Sequence, residues 1–142
     1  SAELKALGVE FIEQPLPPGQ LEAMEEVCRR SALPVIADEN SVIPEDIPAL
    51  AGRFHGINIK LVKCGGILPA LRMVHLARTL GLRVMFGCMI ETSILISAAA
   101  QLGPRADYLD LDGNVLISDD PYAGVENEAG RLSLSEGWVR RR

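Results

Sequence analysis

Lys60 and Lys63 stand inside NIKLVKCGG (residues 58–66), an apolar run with the pattern of a buried strand. A buried ammonium is costly unless it is paired, and burial lowers its pKa. Lys60 is therefore expected to titrate toward neutrality and to exchange a proton with a carbon acid. Pairing with a neighbouring carboxylate would make it structural instead. Lys63 lies three residues on, past the strand end, so its side chain is expected to point elsewhere and to be structural. Acidic residues recur at comparable places. Glu13 lies in VEFIEQ (9–14), Asp38 in PVIADEN (34–40), Glu91 closes RVMFGCMIE (83–91), and Asp110 and Asp112 lie in YLDLDG (108–113). Glu13 and Asp38 at neighbouring strand ends could share a hard divalent cation, and oxygen-only ligation suits Mg²⁺. Solvated loop acids or helix caps are the alternative, and Glu10 and Glu39 compete as ligands. Asp110 and Asp112 are two apart and share one strand face. Like charges that close call for a cation between them, a substrate ammonium or a nearby lysine.

The elements that must carry these groups repeat. Apolar runs occupy 9–14, 34–40, 56–63, 83–91 and 108–113, and their polar ends, Glu13, Asp38, Lys60, Cys88 and Asp112, are 25, 22, 28 and 24 residues apart. That is the length of a βα unit. The intervening GQLEAMEEVCRR, SVIPEDIPALAG, GILPALRMVHLARTLG and TSILISAAAQLG fit helices. Ser41 is the expected N-cap of the second, and Gly81 the C-cap of the third. Gly65 and Gly66 should shape a turn, where free N–H groups could meet an anion. Near-continuous apolar strands alternating with helices imply a parallel sheet covered on both faces. It is either an open doubly wound sheet or part of a (β/α) barrel. No GxGxxG or Walker A pattern supports nucleotide binding. The charges at successive strand ends favour the barrel, where catalytic groups sit on that rim.

Composition narrows the function. A net charge of −5 with 4% aromatics and no basic stripe argues against nucleic acid. No apolar stretch has transmembrane length. Cys28, Cys64 and Cys88 lack CxxC spacing and read as reduced thiols of a cytoplasmic protein. His55 and His75 have no partner at ligand spacing, and Cys88 reads as strand-end packing.

Together EQP, ADEN, NIKLVKCGGI, GCMIETS and DLDG resemble the C-terminal half of an enolase-superfamily barrel, within its muconate-lactonizing subgroup and most closely the dipeptide epimerases. The resemblance covers nearly the whole chain. It implies about five strand units of a (β/α)7β TIM-like barrel. It also implies Mg²⁺ on Glu13 and Asp38, Lys60 as acid/base, Asp110 and Asp112 on a dipeptide's α-ammonium, and Glu91 near the substrate carboxylate end. The implied reaction is 1,1-proton transfer through an enediolate, in a homo-oligomeric parent protein. A second catalytic lysine in a KxK motif, a third metal ligand and a capping domain would lie before Ser1, so residues 1–142 are expected to be a partial barrel domain, inactive alone. Asn40 stands where the family commonly has serine, and SEGWVRRR (135–142) departs from the family's terminus. A lactonizing or dehydrating enzyme such as an o-succinylbenzoate synthase is the first alternative, disfavoured by DLDG. A non-catalytic half-barrel binding module is the second.

Overall fold

The structure is a computed structural model that describes residues 1–134 and 139–141. Five strands, β1 (Ile12–Glu13), β2 (Val35–Ala37), β3 (Gly56–Lys60), β4 (Arg83–Gly87) and β5 (Tyr108–Leu109), form one sheet in the order of the chain. Every pairing is parallel, with Glu13 opposite Ile36, Ala37 opposite Ile57, Lys60 opposite Gly87 and Phe86 opposite Leu109. Sequential order with a helix over each crossover is the pattern of a barrel wall.

Helix α1 (Ala2–Ala6) precedes the sheet. The crossovers carry α2 (Leu21–Arg30), α3 (Ile47–Leu50), the single turn α4 (Leu61–Cys64) with α5 (Ile67–Thr79), and α6 (Ser93–Ala100). Alternation along the strands divides two environments. Val35, Ala37, Ile57, Ile59, Val84 and Phe86 pack against Met24, Met73, Ala77 and Ile96 in the helix-facing core. Ile36, Asn58 and Met85, also buried, occupy the alternate positions that face the barrel interior. Glycines make room there: a Cβ on Gly56 would lie 2.7 Å from the Ile36 Cδ1 atom.

The sheet is curled into a half-barrel. Phe11, just before β1, and Tyr108, at the start of β5, bring their rings to a centroid distance of 4.5 Å although they flank the two edge strands. Beyond β5 the chain returns over α6. Strand β6 (Tyr122–Ala123) pairs with β9 (Arg140–Arg141), and β7 (Glu126–Glu128) and β8 (Arg131–Ser133) form a hairpin. Buried Asp120 fastens this return, accepting from the Ser93 N–H (2.7 Å) and hydroxyl (2.6 Å) and from the Tyr122 N–H (3.0 Å).

Three local expectations change. The run 56–63 is strand only to Lys60, and its last residues turn directly into α4. Ser41 is not an N-cap. Its hydroxyl is buried without a partner, and the Asp46 carboxylate takes the Val42 and Ile43 N–H groups instead. Gly65 and Gly66 do not present free N–H groups to an anion, because both donate to the Leu61 carbonyl. Their φ angles of +90° and +116° account for glycine at both positions. Residues 135–138 and 142 of the atypical ending lie outside the described residues.

Candidate active site

The rim at the C-terminal ends of the strands is built from inward positions at or just past the last backbone rungs, with Glu13 and Lys60 still paired in the ladder and Asp38 one residue beyond β2. On β3 the inward series is Gly56, Asn58, Lys60. Asn58 is 1% exposed and donates through Nδ2 to Glu13 Oε1 at 2.6 Å, tying β3 to the end of β1 across β2. Its amide fits because position 87 on β4 is glycine, where a Cβ would lie 2.5 Å from Asn58 Oδ1.

One step higher, Asp38 extends from the end of β2 and is 7% exposed. Lys60 Nζ binds its Oδ2 at 2.8 Å, and Lys63 Nζ binds its Oδ1 at 2.6 Å. Burial alone would raise the Asp38 pKa, but the two ammonium groups outweigh it and hold the carboxyl below its ordinary value. Lys63 therefore does not point away. Because α4 begins immediately after Lys60, its first turn curls Lys63 back over the same carboxylate. The protein's own groups act on Lys60 in the opposite direction to the expected fall. Burial pulls its pKa down, yet the hydrogen bond it donates to Asp38 and the charges of Asp38, Glu13 and Glu39 leave it raised.

Among the described residues, the other side of the rim shows no such pairing. Asp110 continues the β5 ladder, its N–H donating to the Phe86 carbonyl at 2.9 Å. Burial, and then repulsion from Asp112, push the Asp110 carboxyl upward, while Lys60 pulls it down. Glu91 accepts the Met89 N–H at 3.0 Å, and burial raises its pKa against the opposing pull of Lys60. Cys88 Sγ lies 3.9 Å from Asp112 Oδ1, and burial holds the thiol protonated. Gly113 lets the loop after β5 lie on the loop after β4, since a Cβ there would collide with the Met89 carbonyl.

Lys60 is thus the hub. It pairs with Asp38 and lies within the electrostatic reach of Glu13, Glu39, Glu91 and Asp110, while Asp112 adjoins Asp110. Glu10 precedes β1 and belongs to the opposite end, so it does not compete with Glu13. His55 is structural, its Nδ1 accepting the Val35 N–H at 3.0 Å.

The donor set fits a hard divalent cation in part. Glu13 and Asp38 offer carboxylate oxygens from adjacent strand ends, and Asp38 already gathers two cationic groups. No cluster of three or more His, Cys, Asp or Glu suited to a metal occurs among the described residues, so water or further oxygen ligands would complete an octahedral shell.

Sequence reasoning missed Asn58 and Gln14 and understated Asn40. The Gln14 Oε1 accepts the Asp38 N–H at 3.0 Å, and its Nε2 donates to Asn40 Oδ1 at 2.7 Å. The Asn40 side chain is therefore bound to the neighbouring strand end. A polar residue at an inward position, as Asn58 is by strand alternation, was the available signal. For Gln14 the linear sequence carries none.

A half-barrel of parallel strands with acids and a lysine on its C-terminal rim is the arrangement of the enolase C-terminal domain. Residues 1–137 match the family model described as "Enolase C-terminal domain-like", and the chain belongs to this family. It is 50% identical over 135 residues to the L-Ala-D/L-amino acid epimerase of Flavobacterium johnsoniae, covering 95% of this chain and 40% of that protein. It is 52% identical over 133 residues to the L-Ala-D/L-Glu epimerase of Bacteroides thetaiotaomicron, covering 94% of this chain and 35% of that protein. The crystal structure of the dipeptide epimerase from Methylococcus capsulatus, complexed with Mg and L-Arg-D-Lys, superposes with a TM-score of 0.83 at 39% identity, covering 95% of this chain and 40% of that one. The chain therefore spans well under half the length of these relatives.

Proposed function

We propose that this chain supplies one side of the active site of a Mg²⁺-dependent dipeptide epimerase, which moves the α-proton of the substrate's C-terminal residue. The observation that supports it is the placement of Lys60 between a carboxylate pair suited to a cation, Glu13 and Asp38, and a second set of acids, Asp110 and Asp112. A bound divalent cation would supply positive charge to the substrate carboxylate and make its α-proton more acidic. Glu13, oriented by Asn58, and Asp38 would hold that cation. Lys60, protonated against Asp38, is poised to donate a proton to the α-carbon from one face and to receive one in the reverse direction. Asp110 and Asp112 would bind the free α-ammonium and so set the substrate's orientation. Glu91, whose carboxyl feels the charge of Lys60, would border the substrate's carboxylate end. Exchange at both faces needs a second acid/base, which in this proposal comes from outside residues 1–142, as do a third metal ligand and the capping domain.

The test is a chimera in which residues 1–137 replace the matching segment of the Bacteroides thetaiotaomicron relative. Incubation with L-Ala-L-Glu and Mg²⁺ in D₂O should invert the α-carbon with deuterium incorporation, and Lys60→Ala should abolish it. A folded chimera with no inversion, or inversion that persists in Lys60→Ala, would overturn the proposal.

A further inference from the structure

Glu13 and Asp38 end separate strands, and the backbone ladder between β1 and β2 stops at the Gln14 N–H to Ile36 carbonyl bond of 2.9 Å. The Asp38 and Asn40 N–H groups lie beyond that last rung. A side chain takes over there. Gln14 Oε1 accepts from the Asp38 N–H at 3.0 Å and the Asn40 N–H at 3.4 Å. Its Nε2 donates to the Leu16 carbonyl at 2.8 Å and to Asn40 Oδ1 at 2.7 Å. Both ends of one amide are thus committed to the two loops that follow Glu13 and Asp38.

The backbone at Gln14 shows the cost of this arrangement. Its φ is +35°, a region that favours glycine and that an L side chain occupies only when its surroundings hold it there. Glycine would relieve the strain but could not bridge to β2. The residue retained is the one whose side chain makes the bridge. Glu13, directly before it, is fixed from the other side by Asn58.

We infer that Gln14 and Asn40 form an amide clamp that sets the separation of the Glu13 and Asp38 carboxylates, acting as positioning residues for the cation they would hold. This rests on the proposed metal role of that pair. Groups that orient metal ligands without touching the metal typically carry about 10- to 100-fold of its affinity.

The experiment uses the 142-residue chain, with Mn²⁺ as the probe read by the loss of its free electron-paramagnetic signal, and amide exchange followed by NMR. Gln14→Gly removes the clamp while suiting the positive φ, so the fold is retained, and Gln14→Ala and Asn40→Ala accompany it. Mn²⁺ binding should weaken by about 10- to 100-fold in Gln14→Gly and by less in Asn40→Ala, which keeps the Asp38 N–H bond. The Asp38 and Asn40 amides should exchange faster while those of Ile57 and Ile59 keep their protection. Unchanged Mn²⁺ affinity in Gln14→Gly, or acceleration spread evenly over all amides, would overturn the clamp. If the wild-type chain binds no Mn²⁺, the metal role of Glu13 and Asp38 falls. The clamp is then decided by exchange alone: local acceleration sustains it as the spacer of the two strand ends, and uniform acceleration overturns it.

Discussion

The rim has two sides with opposite electrostatic character. At the β2–β3 side one carboxylate, Asp38, faces two ammonium groups within 2.8 Å. At the β4–β5 side Asp110, Asp112 and Glu91 gather with no ion pair among the described residues, and the Asp110 and Glu91 carboxyls are pushed up by burial. The first side is satisfied by the protein's own charges. The second holds acids that Lys60 offsets only in part, burial and the neighbouring charge of Asp112 leaving Asp110 raised.

Substitutions that swap the sign of each side's contribution test this contrast. The largest effect should come from Asp38→Ala, which leaves two poorly exposed ammonium groups unpaired. A loss of about 3 kcal/mol is expected in urea unfolding. A loss below about 1 kcal/mol would show that solvent already screens the pair. Next is Gly87→Ala, whose Cβ would press on the Asn58 amide. It should cost about 1–3 kcal/mol and free Glu13 from its 2.6 Å bond, seen as altered Asn58 side-chain resonances. Asp110→Asn should do the reverse and leave stability unchanged or slightly raised, within about 0.5 kcal/mol.

The pH dependence sharpens the same comparison. The Asp38 pKa is lowered on folding, so its contribution is complete above the ordinary value of 3.8 and lost as pH falls through the lower folded value. The Lys60 pKa is raised, so its contribution is complete below the ordinary 10.5 and lost as pH rises through the higher folded value. Asp110 has the opposite sign to Asp38. Its ionisation opposes folding once pH climbs above 3.8, so any gain from Asp110→Asn should be present near neutral pH and absent in acid. Urea midpoints of wild type and both variants at about pH 3 and about pH 7 would check the signs for Asp38 and Asp110, and a wild-type series rising to about pH 11 would check that for Lys60. The smallest structural but most specific effect belongs to Asp112→Asn in the chimera. Turnover of free-amine dipeptides should fall more than that of N-acylated ones, and equal losses would remove the ammonium contact.

The strands and the rim were legible because a barrel wall repeats. Each apolar run ends where its polar residue enters the mouth, so Glu13, Asp38, Lys60 and Asp110 could be named from spacing and alternation. What spacing could not give was the direction of Lys63, because the helical turn α4 starts without a loop signal between Lys60 and Gly65. Nor could it give the charge state of Lys60, which depends on whether Asp38 is within hydrogen-bond distance rather than on burial alone. Gln14 was hidden for a related reason. Its importance lies in contacts to residues 24 and 26 positions away and in a positive φ, neither of which leaves a mark on the local pattern.

The contact between Phe11 and Tyr108 has a kinetic consequence. These rings, at positions 11 and 108 of the 142-residue chain, lie far apart in sequence, and they meet across the edges of the five-stranded sheet. Closing so long a loop is entropically late, whereas each βα unit can form from near neighbours. The ring pair is therefore expected to form late in folding. Weakening it should hasten unfolding and leave the folding rate nearly unchanged.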